Sequence, residues 1–211
     1  MGGRGVGFDS AAWLVGLMNS VMASRDRPEF LRAYLEVIER WNRRRMAVVL
    51  DQGVDLFVRR GWYEGTSFWS PESYRRFLLP ILKREAAVVH QAGAKFAYIM
   101  TAGSLQFVDL ILEAGVDVVL GLEDVQDHGM DFAAMKSAAR GRLGLWGGVN
   151  GFVTIEQGSD HEIRSRTTRA LEQLGPDGFI LSPVDNVCDT SEETWRKTLL
   201  FIETWKRAVG A

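Results

Sequence analysis

Gly93-Ala94-Lys95-Phe96-Ala97-Tyr98-Ile99 and, one helix later, Gly115-Val116-Asp117-Val118-Val119-Leu120 decide how this chain folds. Each is a glycine at the end of a helical pattern, followed by a short β-prone run. A glycine just past a helix supplies the left-handed residue that ends it. A run that is apolar throughout, rather than alternating, suits a strand buried on both faces, as in a parallel sheet covered by helices. Three more segments share the grammar: Gly53-Val54-Asp55-Leu56-Phe57-Val58, Arg142-Leu143-Gly144-Leu145-Trp146 and Gly178-Phe179-Ile180-Leu181. The glycines at 53, 93, 115, 141 and 178 are 40, 22, 26 and 37 residues apart, so a helix fits in every interval.

The helices between these runs carry their own signals. Asp26 caps one that has Pro28 in its first turn and Phe30, Tyr34, Leu35, Ile38 and Trp41 as its apolar stripe. Ser70-Pro71-Glu72 opens the next, with Tyr74, Phe77 and Leu78 inward, and Pro80 predicts a kink or restart. Leu105, Val108, Ile111 and Leu112 mark a third, and Phe132 and Met135, after Asp131, a fourth. Ser159-x-x-Glu162 and Thr190-x-x-Glu193 read as capping boxes for the last two. Their stripes are Ile163, Thr167, Ala170, Leu171 and Leu174, then Trp195, Leu199, Ile202 and Trp205. A further helix over Ala11–Met22, capped by Asp9 or Ser10, precedes them all.

The resulting order, α(βα)₅, predicts an α/β fold with a parallel sheet and right-handed crossovers. A closed barrel of eight βα units needs about 250 residues. A chain of 211 residues therefore predicts an open sheet or an incomplete TIM-barrel-type fold: about five parallel βα units plus a leading helix. Residues 1–25 form the N-terminal helix and a Gly-rich lead, and residues 26–211 the partial barrel.

Composition narrows the function. Hydrophobic residues make up 46% and charged residues 25%, a globular balance that excludes disordered and low-complexity classes. The net charge of -2 gives no basic surplus, so nucleic acid is not an expected partner, and Arg43-Arg44-Arg45 reads as a solvated helix face. Cys188 is the sole cysteine; one thiol makes no internal disulfide, which fits a cytoplasmic protein. No apolar run reaches the roughly 18–20 residues of a membrane span.

In any parallel βα architecture, ligands bind at the carboxyl ends of the strands. Those positions hold Arg59, Arg60, Trp62, Tyr63 and Glu64 after the first strand, and Met100, Thr101 and Ala102 after the second. Glu123, Asp124, Asp127 and His128 follow the third. Trp146, Gly147, Gly148 and Asn150 follow the fourth, and Ser182, Pro183, Asp185 and Asn186 the fifth. Arg59 and Arg60 are either anion ligands or ordinary rim charges. Trp62 and Tyr63 are either a platform or packing. The acidic loop from Glu123 is either an oxygen-rich site or solvated, and Gly147-Gly148 allows close approach of a ligand without forming a dinucleotide fingerprint.

At these residues the chain resembles the uroporphyrinogen decarboxylase superfamily, which includes methyltransferases that move methyl groups between corrinoid proteins and thiols. The resemblance runs through Gly53-Val54-Asp55, Ser70-Pro71-Glu72-x-Tyr74-Arg75-x-Phe77-x-x-Pro80, Met100-Thr101-Ala102-Gly103 and Glu113-Ala114-Gly115-Val116-Asp117. It continues through Lys136, Trp146-Gly147-Gly148-Val149-Asn150 and Gly178-Phe179-Ile180-Leu181-Ser182-Pro183. It implies the C-terminal part of a βα barrel, without the N-terminal strands that carry a substrate-binding Arg and catalytic Asp in the decarboxylases. The methyltransferases hold zinc with a His and a Cys where this chain has Met100 and Ala102, and Asp185 stands where relatives carry His or Cys. No bound metal and no cofactor are expected.

The resemblance implies a decarboxylase acting on an anionic small molecule. Arg59 or Arg60 would hold the carboxylate, and Asp185, Glu123 or Glu64 would supply the proton. Trp62, Tyr63, Thr101, Trp146, Asn150 and Asn186 complete the substrate-binding set. Methyl transfer with a corrinoid partner and a non-catalytic half barrel are the alternatives. An open barrel also predicts that inner strand residues such as Phe57, Tyr98 and Val119 are partly wet. It further predicts that the chain associates with itself or with a complementing chain.

Overall fold

A computed structural model describes residues 7–210; the Gly-rich lead, residues 1–6, lies outside the described residues. Three helices come first: α1 (Phe8–Val15), α2 (Leu17–Asp26) and α3 (Pro28–Leu50). Then follow β1 (Leu56–Arg60), α4 (Pro71–Phe77), α5 (Leu79–Gln91), β2 (Lys95–Ile99), α6 (Val108–Ala114), β3 (Val118–Leu122), α7 (Phe132–Ala139) and β4 (Gly144–Asn150). A π-helical segment (Gly151–Glu156), α8 (Asp160–Leu174), β5 (Phe179–Val184) and α9 (Glu192–Val209) complete the order. The strands form one sheet, ordered β1-β2-β3-β4-β5, with every neighbouring pair parallel. Right-handed crossovers that always step the same way place the helices on one face of the sheet. That is the arrangement of a TIM barrel left open after five units. Among the described residues, no helix is long and apolar enough to cross a membrane.

The repeat arises as the sequence implies. Gly115 ends α6 in the left-handed conformation, with φ +83°, and the other four glycines of the repeat share the positive sign. Each strand begins one to three residues after its glycine. Ser70 caps α4 by accepting the Ser73 N–H, Asp131 caps α7 by accepting that of Ala134, and Ser159 and Glu162 form a full capping box. The helical pattern breaks between Phe77 and Leu79, just before Pro80.

The face assignments needed correction. Phe57, Tyr98 and Val119 are buried, because their parity points them at the helix layer. Phe57 stacks on Phe96 there, with ring centroids 6.4 Å apart. The wet positions are their neighbours on the opposite parity: Ile99, Val118, Leu120 and Trp146 are half-buried, and Ile180 is 49% exposed. Successive strand residues alternate faces, so a run that is apolar throughout conceals which parity meets the helices. The single helix expected over Ala11–Met22 is two, because Gly16 adopts φ +90° between α1 and α2. Asp9 lies inside α1 rather than capping it, and no side chain caps α3, where Asp26 was expected to do so. The inward residues of α3 are Leu31, Leu35, Ile38, Met46 and Leu50, whereas Phe30 and Trp41 are exposed. In α9 the cap is Ser191, not Thr190, and the buried apolar residues are Leu200 and Phe201, leaving Trp195, Leu199 and Trp205 outside.

This phase assignment separates two substitutions on the same sheet. Phe96→Ala should destabilise the chain by about 3–5 kcal/mol, the cost of emptying a closed core site. Ile180→Ala, on the open face, should cost well under half as much. Urea unfolding of both variants checks the order, and a larger loss for Ile180→Ala would reverse the assignment.

Candidate active site

Arg59 and Arg60 end β1, and strand geometry sends consecutive side chains to opposite faces. Arg59 points into the helix layer and is fully buried. Its Nη1 and Nη2 donate to the two oxygens of Glu64 at 2.6 and 2.9 Å, and its Nε donates to Glu85 Oε2 at 2.5 Å. Asn42 Nδ2 donates to Glu85 Oε1 at 2.6 Å, and the Phe8 N–H donates to Glu64 Oε1 at 2.8 Å. The Tyr98 hydroxyl donates to Glu64 and accepts from the Tyr74 hydroxyl. Burial opposes the charge on Arg59, but Glu64 and Glu85 outweigh it and hold the guanidinium pKa well above its usual value. Burial raises the Glu85 carboxyl, and burial together with Glu64 raises the Tyr98 and Tyr74 phenols. The cluster is closed to solvent, so Arg59 and Glu64 lie apart from the cleft described next.

Arg60 turns the other way. Its guanidinium sits between two indoles, 4.9 Å from the Trp13 ring centroid and 4.0 Å from that of Trp62. Asp9 Oδ2 lies 3.1 Å from Arg60 Nε, close enough for charge pairing though not aligned as a hydrogen bond. The same buried carboxylate accepts the backbone N–H groups of Trp62 and Tyr63 at 3.2 and 3.0 Å, fixing the turn after β1. Burial, followed by the charge on Glu64, raises the Asp9 carboxyl above its ordinary range. The Arg60 side chain makes no hydrogen bond among the described residues, and its Nε is buried against Asp9.

Beside Trp62 is a cleft of about 160 Å³ lined by Trp62, Thr101, Ala102, Glu123, Gln126, Val184 and Asp185. These residues come from the carboxyl ends of β1, β2, β3 and β5, where a parallel sheet places its ligands. Glu123 holds the wall together: its oxygens accept the N–H groups of Val125, Gln126 and Asp127 at 2.8–3.1 Å, and Asn150 Nδ2 at 3.3 Å. Asn150 is buried, and its Oδ1 caps the π-helical segment through the Val153 N–H. Asp127, its carboxyl raised mainly by burial, accepts the Gly103 N–H at 2.9 Å and so ties the loops after β2 and β3 together. Asp185 is exposed on the cleft in the left-handed conformation, φ +67°. Its Oδ1 accepts the Asn186 N–H at 2.9 Å, and its Oδ2 has no partner among the described residues.

Of the expected site residues, the cleft thus collects Trp62, Thr101, Glu123 and Asp185, with Arg60 behind Trp62 and Asn186 adjacent to Asp185. Tyr63 packs edge-on against Phe68, and Trp146 faces the open side of the sheet with its Nε1 on Ser182 Oγ at 2.9 Å. Gly147 and Gly148 serve packing rather than a ligand: a Cβ would lie 2.4 Å from Leu122 O in the first case and 2.9 Å from Ala170 Cβ in the second. Lys136 is at the opposite end of the sheet, where its Nζ donates to the Leu174 and Asp177 carbonyls. Asp9 and Trp13 were missed, since their contacts cross more than 45 residues of sequence and Asp9 resembles an ordinary helix cap. Met100 and Ala102 offer no zinc donor, and no group of three or more His, Cys, Asp or Glu among the described residues could hold a metal ion. The donor set therefore does not fit zinc.

The family model described as uroporphyrinogen decarboxylase (URO-D) matches residues 1–196. Among solved structures, a methyltransferase from Methanosarcina mazei superposes with a TM-score of 0.78 at 17% sequence identity. The match covers 95% of this chain but 56% of the methyltransferase, so the chain spans little more than half the length of that relative. At that identity the likeness is one of fold. No curated protein sequence matches the chain.

The raised carboxyl of Asp9 has a consequence for stability. A native pKa above the unfolded one means that the folded chain holds the extra proton, so ionisation costs stability as pH rises. Asp9→Asn removes this titration. Its stability deficit relative to wild type should shrink as pH rises from about 4, where an ordinary carboxyl ionises, toward neutral. Urea unfolding across that range checks this, and a deficit that grows with pH would contradict it.

Proposed function

The chain belongs to the uroporphyrinogen decarboxylase family, and from that premise we propose that its strand-end cleft binds an anionic small molecule and decarboxylates it. The observation that carries this reading is a strand-end cleft lined by Trp62 and by Asp185, which keeps one oxygen free, with the Arg60 guanidinium 4.0 Å from the Trp62 ring. Arg60, clamped between two indoles and adjoining Asp9, presents a planar fork suited to a carboxylate. Cation–π contact with Trp13 and Trp62 holds that fork without using its N–H donors. In the proposed step the bond between the substrate carbon and its carboxylate breaks, carbon dioxide leaves, and the electron pair stays on carbon. Asp185, open to solvent, relays a proton from water to that carbon. Glu123 is not assigned this role, because three backbone N–H groups and Asn150 already occupy its oxygens.

The likeness of fold to the Methanosarcina methyltransferase supports a second reading, methyl transfer with a corrinoid protein as partner. The half-open sheet supports a third, a non-catalytic subunit. The readings separate in one assay. The purified chain is incubated in deuterated water with di- and polycarboxylates, including uroporphyrinogen, and carbon dioxide release and deuterium incorporation are followed. Decarboxylation predicts one deuterium per carbon dioxide. It also predicts that Asp185→Asn lowers kcat by roughly 10²-fold or more, the usual contribution of a positioned acid. Turnover that is unchanged in Asp185→Asn would remove that residue from the mechanism. Methyl exchange with a methylcobalamin probe, without carbon dioxide release, would favour the second reading.

A further inference from the structure

The loop that carries Asp185 runs from the end of β5 to the Ser191 cap of α9, and among the described residues no backbone–backbone hydrogen bond holds residues 185–190. Side chains hold it instead. Asp185 and Asp189 accept N–H groups of the loop itself, that of Asn186 at 2.9 Å and that of Ser191 at 3.1 Å. The acceptor from outside is Glu156, the last residue of the π-helical segment. Its Oε2 takes the N–H groups of Cys188 at 2.8 Å and of Asp189 at 3.1 Å. Hydrogen bonds to a carboxylate are about twice as strong as those between neutral groups. The Glu156 carbonyl accepts Lys197 Nζ at 3.1 Å, so the same residue also ties down the helix that follows the loop.

The other end of the π-helical segment meets the cleft. It starts after Asn150, whose Oδ1 accepts the Val153 N–H at 2.7 Å and whose Nδ2 donates to Glu123 in the cleft wall at 3.3 Å. Gly151 lies against the backbone of Asp185: a Cβ there would sit 3.0 Å from Asp185 O and 3.1 Å from Val184 O. The segment thus backs the loop twice, with Gly151 behind Asp185 and Glu156 on the N–H groups three and four residues further on. π-Helical turns are rare and recur at functional sites. An aspartate in an unrestrained loop visits several backbone regions, the left-handed one among them; Asp185 stands at φ +67°. Resting on the reading of Asp185 as the proton relay, we propose that Glu156 is a positioning residue. Its carboxylate clamps the loop and so keeps Asp185 on the cleft in the geometry that the proton transfer needs. A misplacement of about 1 Å at such a group can cost 10²-fold in rate.

Cys188 makes the clamp measurable, because it is the sole cysteine, is exposed and carries one of the clamped N–H groups. A nitroxide attached to its thiol reports loop mobility by electron paramagnetic resonance, with circular dichroism as the control on folding. Glu156→Ala should give the sharper spectrum of a more mobile label. Glu156→Asp, which draws the oxygen back by one methylene, should do the same, and it decides the matter if the alanine variant fails to fold. Glu156→Gln keeps an acceptor at full length and should stay closer to wild type. In the unlabelled chain, Glu156→Ala should lower kcat about 10²-fold with KM changed little, since Arg60 and Trp62 are untouched. In an Asp185→Asn background the same substitution should cost nothing further, because it acts through Asp185. A full second loss there would show a role independent of Asp185 and overturn the proposal. A label equally ordered in wild type, Glu156→Ala and Glu156→Asp would overturn it as well. A wild-type chain that releases no carbon dioxide would remove the decarboxylase reading alone, and the label would then decide whether Glu156 holds the loop.

Discussion

One buried guanidinium organises the front half of this molecule. Arg59, on β1, is gripped by Glu64 from the loop that follows and by Glu85 from α5. Through those carboxylates it also reaches Asn42 on α3, Tyr98 on β2, Tyr74 on α4 and the start of α1 at Phe8. A charge removed from water in this way is tolerated only if every donor and acceptor is satisfied, so the six elements must arrive together. The cluster fixes β1 in register and depth, and with it the side on which Arg60 emerges. Removing one partner of a buried ion pair costs about 3–5 kcal/mol, a large share of the roughly 5–15 kcal/mol that holds a domain folded.

The cleft inherits its geometry from that anchoring. Asp9 enters because α1 is tied to Glu64, and it then fixes the backbone of Trp62 and Tyr63 and flanks Arg60. On the far wall Glu123 and Asp127 accept backbone N–H groups of the loops after β2 and β3, and Glu123 also accepts the side-chain amide of Asn150 at the end of β4. Acidic residues that line the cleft are thus partly scaffolding. Asp185 differs in being exposed, with one oxygen unpartnered and its backbone in a left-handed conformation that costs a non-glycine residue energy.

Much of the architecture was legible in the sequence because glycine placement and apolar runs report chain direction locally. Five strands, their order of appearance, the caps at Ser70, Asp131 and Ser159 and the break before Pro80 all follow from rules spanning a few residues. What escaped was phase and distance. A strand such as Val118-Val119-Leu120 is apolar on both parities, so the face toward the helices cannot be read from it. Helix α3 carries two apolar stripes one residue apart: of the expected stripe, Leu35 and Ile38 lie on the buried one, and Phe30 and Trp41 on the exposed one. Thr190 and Ser191 are adjacent hydroxyls, and only one becomes the cap. The contacts of Asp9 with Trp62 and Tyr63 join residues too far apart for any local pattern to announce.

Two neighbouring arginines do different work: Arg59 is the internal anchor, and Arg60, paired with Asp9 and held by Trp13 and Trp62, is the cation proposed to serve the cleft. The direct measurement is the unfolding free energy of Arg59→Met beside that of Arg60→Met, by urea titration at neutral pH. Arg59→Met should lose about 3–5 kcal/mol because it strands two buried carboxylates. Arg60→Met should lose less, about 2 kcal/mol, the scale of its contacts with Trp13 and Trp62, because Asp9 keeps the Trp62 and Tyr63 N–H groups as partners. Equal losses, or a greater loss at Arg60, would contradict the division of labour on which both the fold and the proposed site rest.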